Sequence, residues 1–111
     1  MPKKAMEILT ESMFYVLMSF LSGEKCGAEI VEDVEALTGG RLKLGPATLY
    51  TILAKFEKKK YIEELDSDGH RRVYRIAKRG LEAYEEELIR LRRCIADAEA
   101  AAERSGSCNG E

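Results

Sequence analysis

Thr48, Thr51 and Lys55 are spaced three and four residues apart, which places them on one face of a helix. Short hydroxyls can hydrogen-bond base edges or phosphate oxygens, and an ammonium group neutralises a phosphate and releases its counterion. Lys43 precedes this stretch, and Arg71 and Arg72 follow it. A guanidinium grips a phosphate through paired N–H donors. The chemistry on offer is recognition of a polyanion rather than bond-making. The one histidine, His70, sits at an expected hairpin tip, where no pocket excludes water. No nucleophile–base pair, phosphate-cradling glycine loop or metal-ligand spacing occurs, so no enzyme, metal centre or cofactor is expected.

The charge distribution agrees. The formal net charge is −2, yet residues 41–80 hold 11 Lys and Arg against 5 Asp and Glu. The remainder holds 7 against 15, so a basic middle lies between acidic ends. Cys26, Cys94 and Cys108 are odd in number and widely spaced, which fits reduced thiols rather than a disulfide framework. No apolar run reaches the roughly 18 residues of a membrane span. Thr10, Glu11 and Ser12 before Met13 are not the basic flank of a signal peptide, so a cytoplasmic location and no membrane partner are expected.

The elements that must carry these residues can be read in order. Thr10 caps a first helix running to about Leu21, with Glu11 complementing its positive end. Met13, Phe14, Val16, Leu17, Met18, Phe20 and Leu21 leave it almost no polar face. A subunit interface is expected to cover what one small domain cannot. Ser22 to Gly27 reads as a turn. A second helix carries Ile30, Val31, Val34 and Leu37 and stops at Gly39 and Gly40. Pro46 opens a third helix, in which Leu49, Ile52, Leu53 and Phe56 form one buried stripe. Lys58, Lys59 and Lys60 complement its negative C-terminal end. Tyr61–Leu65 and Arg72–Ile76 are strand candidates joined by the turn residues Ser67-Asp68-Gly69. From about Lys78 a long helix repeats Leu81, Tyr84, Leu88, Leu91, Ile95, Ala98 and Ala102 in steps of three and four, the seam of a helix packed on another helix. Ser105 to Glu111 is expected to be a disordered tail.

This order gives a mainly α fold with a small β-hairpin: a winged helix-turn-helix over 9–76, a C-terminal dimerisation helix over 77–104 and a tail over 105–111. The third helix would enter the major groove of double-stranded DNA, and Arg71 and Arg72 would reach backbone or minor groove from the wing. A protein-interaction module that uses the same shape without DNA is the alternative. Tyr50 lies off the lysine face and could either reach a phosphate or pack with the wing. The expected dimer contacts are Phe14, Leu17, Phe20, Leu81, Tyr84, Leu88, Leu91 and Ile95.

The chain resembles the PadR-type transcriptional regulators, in particular the short subgroup with a single C-terminal helix. The resemblance is carried by Leu9-Thr10-Glu11-Ser12-Met13, by Ile30 through Leu37-Thr38-Gly39-Gly40, and by Leu44-Gly45-Pro46-Ala47-Thr48-Leu49-Tyr50. The wing also contributes, through Tyr61-Ile62-Glu63-Glu64 and Gly69-His70-Arg71-Arg72-Val73-Tyr74-Arg75-Ile76. It implies a homodimeric repressor at a roughly palindromic operator, with Thr48 and Tyr50 as recognition-helix contacts and Arg71 and Arg72 as wing contacts. It also implies release by a small aromatic or drug-like effector, for which Met13, Phe14, Leu17 and Met18 on the apolar first helix are the pocket candidates. Two positions depart from the family pattern. Cys26-Gly27-Ala28 stands where His-Gly-Tyr is common, and Ala77 where a Thr often caps the last helix.

Overall fold

The computed structural model of the chain describes residues 8–65 and 71–109, with side chains as far as residue 105. The expected turn Ser67-Asp68-Gly69 and His70 lie outside the described residues.

Helix α1 spans Glu11–Ser19, and the Thr10 Oγ1 at its start accepts the Met13 N–H at 3.2 Å. A 3-10 turn, Phe20–Ser22, completes it. Two of the expected dimer contacts are corrected: Leu17 is 0% and Phe20 2% exposed within one chain, so neither offers surface to a second copy, whereas Phe14 and Met18 are half-buried and Leu21 is 49% exposed. Helix α2, Gly27–Leu37, and helix α4, Lys78–Asn109, pack against α1. The core then continues through Leu49, Leu53 and Phe56 of helix α3, Pro46–Lys58, to Tyr74 of the sheet. Buried Ser19 is satisfied by donating its hydroxyl to the Val16 carbonyl at 2.7 Å.

The segment read as a turn before α2 contains a strand, β1, Lys25–Cys26. It pairs antiparallel with β3, Val73–Ile76, which also pairs with β2, Ile62–Leu65, so the sheet has three strands in the order β1-β3-β2. Two residues leave no periodic trace in sequence. This strand exists because β3 offers it an open edge.

Both helix ends that frame α3 are closed by the chain reversing on itself. After α2, the Gly40 N–H donates to the Glu35 carbonyl at 2.8 Å and Gly39 takes a φ of 61°. After α3 the same device uses a lysine. Lys60 has a φ of 68°, and the Tyr61 N–H donates to the Phe56 carbonyl at 2.9 Å. The Phe56 and Tyr61 rings meet at 5.6 Å, the apolar contact that accompanies such a cap. Tyr61 then accepts the Ala77 N–H at 2.8 Å on its own carbonyl. Helix α4 begins directly against this point. A Cβ on Gly80 would lie 2.1 Å from the Tyr61 carbonyl oxygen.

Only the first part of α4 packs on the body, through Gly80, Ala83 and Glu87. Every described side chain from Arg92 onward is exposed. Along the expected seam Leu81 is 39% and Ile95 58% exposed, while Tyr84, Leu88 and Leu91 are half-buried. Residues from Ser105, expected as a tail, continue the helix to Asn109, since each added residue needs only one further bond on a helix already formed. Among the described residues, no helix is long and apolar enough to cross a membrane.

Three substitutions test this framework. Gly80→Ala should destabilise by about 3 kcal/mol or more, whereas Gly45→Ala, with open space around it, should cost no more than about 1 kcal/mol, the loss of a glycine N-cap. Lys60→Gly should stabilise by roughly 0.5–1 kcal/mol by relieving the left-handed backbone. Urea unfolding midpoints read all three.

Candidate nucleic-acid interface

Helix α3 buries Leu49, Ile52, Leu53 and Phe56, and its remaining surface divides into a crest and two flanks. Opposite the buried stripe, at spacings of four, three and four, stand exposed Ala47, Thr51, Ala54 and Lys58. Thr48 and Lys55 are exposed on the flank towards the start of α1. There they line a groove of about 440 Å³ together with Thr10, Ser12, Met13, Ala47, Thr51 and Ile52. Lys43 is exposed in the connection leading into α3.

Tyr50 occupies the other flank and is 56% exposed. Its hydroxyl lies 3.3 Å from where a Gly27 Cβ would be, so the ring rests on the first turn of α2. Thr48, Thr51 and Lys55 therefore share one face of the helix, as their spacing implies, and Tyr50 lies on another. Ala47 and Ala54 escaped the sequence reading because alanine offers no chemistry. Their smallness is the signal, since it lets another surface approach the helix backbone.

The first turn of α2 is organised by Glu29, whose Oε1 accepts the Cys26 N–H at 2.9 Å. That bond, with a further one from the Cys26 thiol, holds the Glu29 carboxyl below the usual glutamate range, and the charge of Arg71 adds to the effect. Lys25 on β1 pairs with Asp33 of α2 at 3.4 Å.

The wing places Arg71, Arg72 and Arg75 at the surface. Arg72 Nε donates to Glu64 Oε2 at 3.0 Å, and its Nη2 donates to Oε1 at 2.9 Å. The Arg72 fork lowers the Glu64 pKa from the ordinary value and raises that of Arg72 itself. On the opposite face of the hairpin, Arg75 Nε donates to Glu63 Oε2 at 3.0 Å. Spacing along the chain gives no sign of this partner for Arg72, because Glu64 is eight residues away and the two meet only through strand pairing.

The four effector candidates do not converge. Leu17 is fully buried and Met13 is 6% exposed. Of the other two, Met18 lines a groove with Leu21, Ala36 and Leu37, while Phe14 lines a separate cleft of about 320 Å³ between α1 and α4. Phe14 stacks on Tyr84 at 5.1 Å. Beside this cleft Glu87 is buried. It accepts the Leu9 N–H at 3.4 Å and forms an ion pair with Arg90, whose Nη1 also lies 3.9 Å from the exposed Cys94 sulfur. Arg90, followed by the Leu9 N–H, draws the Glu87 carboxyl below its ordinary pKa against the opposing effect of burial.

A helix pair joined by a short turn, with the second helix exposed and a sheet hairpin beside it, defines a winged helix-turn-helix protein. The model of the transcriptional regulator PadR-like family matches residues 16–86, and the chain belongs to that family, one of regulators rather than enzymes. It is 32% identical over 79 residues to Uncharacterized protein X of Lysinibacillus sphaericus, covering 68% of this chain and 72% of that one. Among solved structures, a transcriptional regulator from Clostridium thermocellum superposes with a TM-score of 0.72 at 23% identity, covering 80% of this chain and 87% of the other. Bacillus subtilis PadR, solved in complex with operator DNA, superposes with a TM-score of 0.61 at 18% identity, covering 69% of this chain and 46% of that chain.

The lowered carboxyl pKa values set a pH expectation. A depressed pKa contributes stability that is complete above the unfolded value and is lost as pH falls through the folded one. Unfolding midpoints should therefore be flat down to about pH 5 and fall below about pH 4.3. Glu87→Gln should be less stable than the parent chain at pH 7, with the gap closing as pH falls through the lowered Glu87 pKa.

Proposed function

We propose that this chain is a sequence-specific DNA-binding regulator that acts as a homodimer and represses transcription from a roughly palindromic operator. The observation that carries this reading is the exposed crest of α3, Ala47, Thr51, Ala54 and Lys58, flanked by Thr48 and Lys55 and adjoining an arginine-bearing wing. A helix so presented fits the roughly 12 Å width of the major groove. Thr48, Thr51, Lys55 and Lys43 would meet bases and phosphates, with Tyr50 at the edge of the contact and Arg71 on the neighbouring backbone.

The dimer would form through the uncovered seam of α4, Leu81, Leu88 and Ile95, with Phe14, Tyr84 and Leu91 at its margin. Two copies would then read half-sites centred about 34–36 Å apart, or a multiple of that distance. A small aromatic or drug-like effector would enter the cleft beside Phe14, where α1 meets α4. Wedging these helices apart would shift one DNA-reading face relative to its twin.

Retention of duplexes from a random-sequence pool tests this directly. The parent chain should enrich a twofold-symmetric sequence, and Lys55→Glu combined with Arg71→Glu should weaken binding on the order of tenfold or more at about 100 mM salt. Light scattering should find that variant still dimeric, and Ile95→Asp monomeric. A parent chain that retains no duplex at low salt would point instead to a module that binds only protein.

A further inference from the structure

We infer that Glu64 is a specificity-determining residue of the wing, one that competes with DNA phosphate for Arg72 and so weakens binding to duplex in general. The inference rests on the DNA-binding reading above. Glu64 faces Tyr74 in the β2–β3 register, and Arg72 lies two residues before Tyr74, on the same side of the hairpin. The carboxylate takes the Nε and Nη2 edge of the guanidinium in a fork at 3.0 and 2.9 Å. A phosphate would use the same fork, because carboxylate and phosphate present matching pairs of oxygens to arginine. Both partners are open to water, with side-chain exposures of 63% for Arg72 and 32% for Glu64.

An exposed ion pair of this kind is weak, so an incoming phosphate can displace it. Displacement still leaves a carboxylate beside the DNA. Glu57 of α3 adds a second negative charge near Arg72. The exchange is therefore favourable only when α3 holds the wing against the backbone, which a matched sequence does and an arbitrary one does not. The Arg75–Glu63 pair treats the other face of the hairpin alike. Among the described residues, three wing arginines are thus offset by two strand glutamates.

A double-mutant cycle on the full chain tests the inference, using Glu64→Gln, Arg72→Gln and the two combined. The probe is a pool of random-sequence double-stranded DNA, titrated between about 50 and 200 mM salt. Glu64→Gln should bind the pool about three- to tenfold more tightly, with a log–log salt slope steeper by about 0.9, the value of one added phosphate contact. On the Arg72→Gln background the same change should alter affinity by less than about twofold. An equal gain with and without Arg72 would make Glu64 merely a nearby charge and would overturn the inference. So would weaker pool binding by Glu64→Gln at an unchanged melting temperature. If the parent chain fails to retain the pool even at about 50 mM salt, the DNA-binding reading itself falls.

Discussion

The rest of the structure depends on one backbone junction, at Tyr61. Its N–H closes α3 by donating to Phe56, its carbonyl receives the Ala77 N–H, and the first turn of α4 lies against that carbonyl at Gly80. The ring packs on Phe56. One residue thus joins the exposed helix, the base of the wing and the long C-terminal helix. The angle between α3 and α4 is set by bonded and close-packed atoms rather than by a linker, so the two move together. Lys60 bears the conformational cost of making the junction so short, since a left-handed φ is unfavourable for a residue with a Cβ.

From that junction the electrostatics become intelligible. A basic middle segment suggests a uniformly positive surface, but the structure sorts its cations by context. Arg41 is paired with Glu11, Arg72 with Glu64 and Arg75 with Glu63. The crest of α3 carries small residues with a lysine at its end. Such a surface favours shape and hydrogen bonding at close range over diffuse attraction. This is consistent with a modest net charge in a protein read as binding a polyanion.

Much of this was legible in the amino-acid order. The Thr10 cap, the Gly39-Gly40 stop, Pro46 at the head of α3, the Leu49–Phe56 stripe and the two strands β2 and β3 each follow from local rules that act over four or five residues. What escaped reading is non-local. Strand β1 is too short to carry a pattern and exists only against β3. Leu17 and Phe20 were assigned to an interface because the burial of α1 was judged from its own residues, without the elements that enclose it. The effector candidates scattered for the same reason: a helix apolar on all sides presents successive residues to different neighbours. The Arg72–Glu64 pair required strand register, which spacing along the chain does not supply.

Cys94 offers a different kind of consequence. It is exposed on the part of α4 that stands clear of the body, whereas Cys26 is buried. With Cys108 replaced by Ser, a spin label or dye would attach to this one accessible thiol. Two chains lying side by side would then carry a molecular ruler. The label separation would report helix alignment, and any sliding on addition of a duplex or an aromatic compound, without disturbing α3 or the wing.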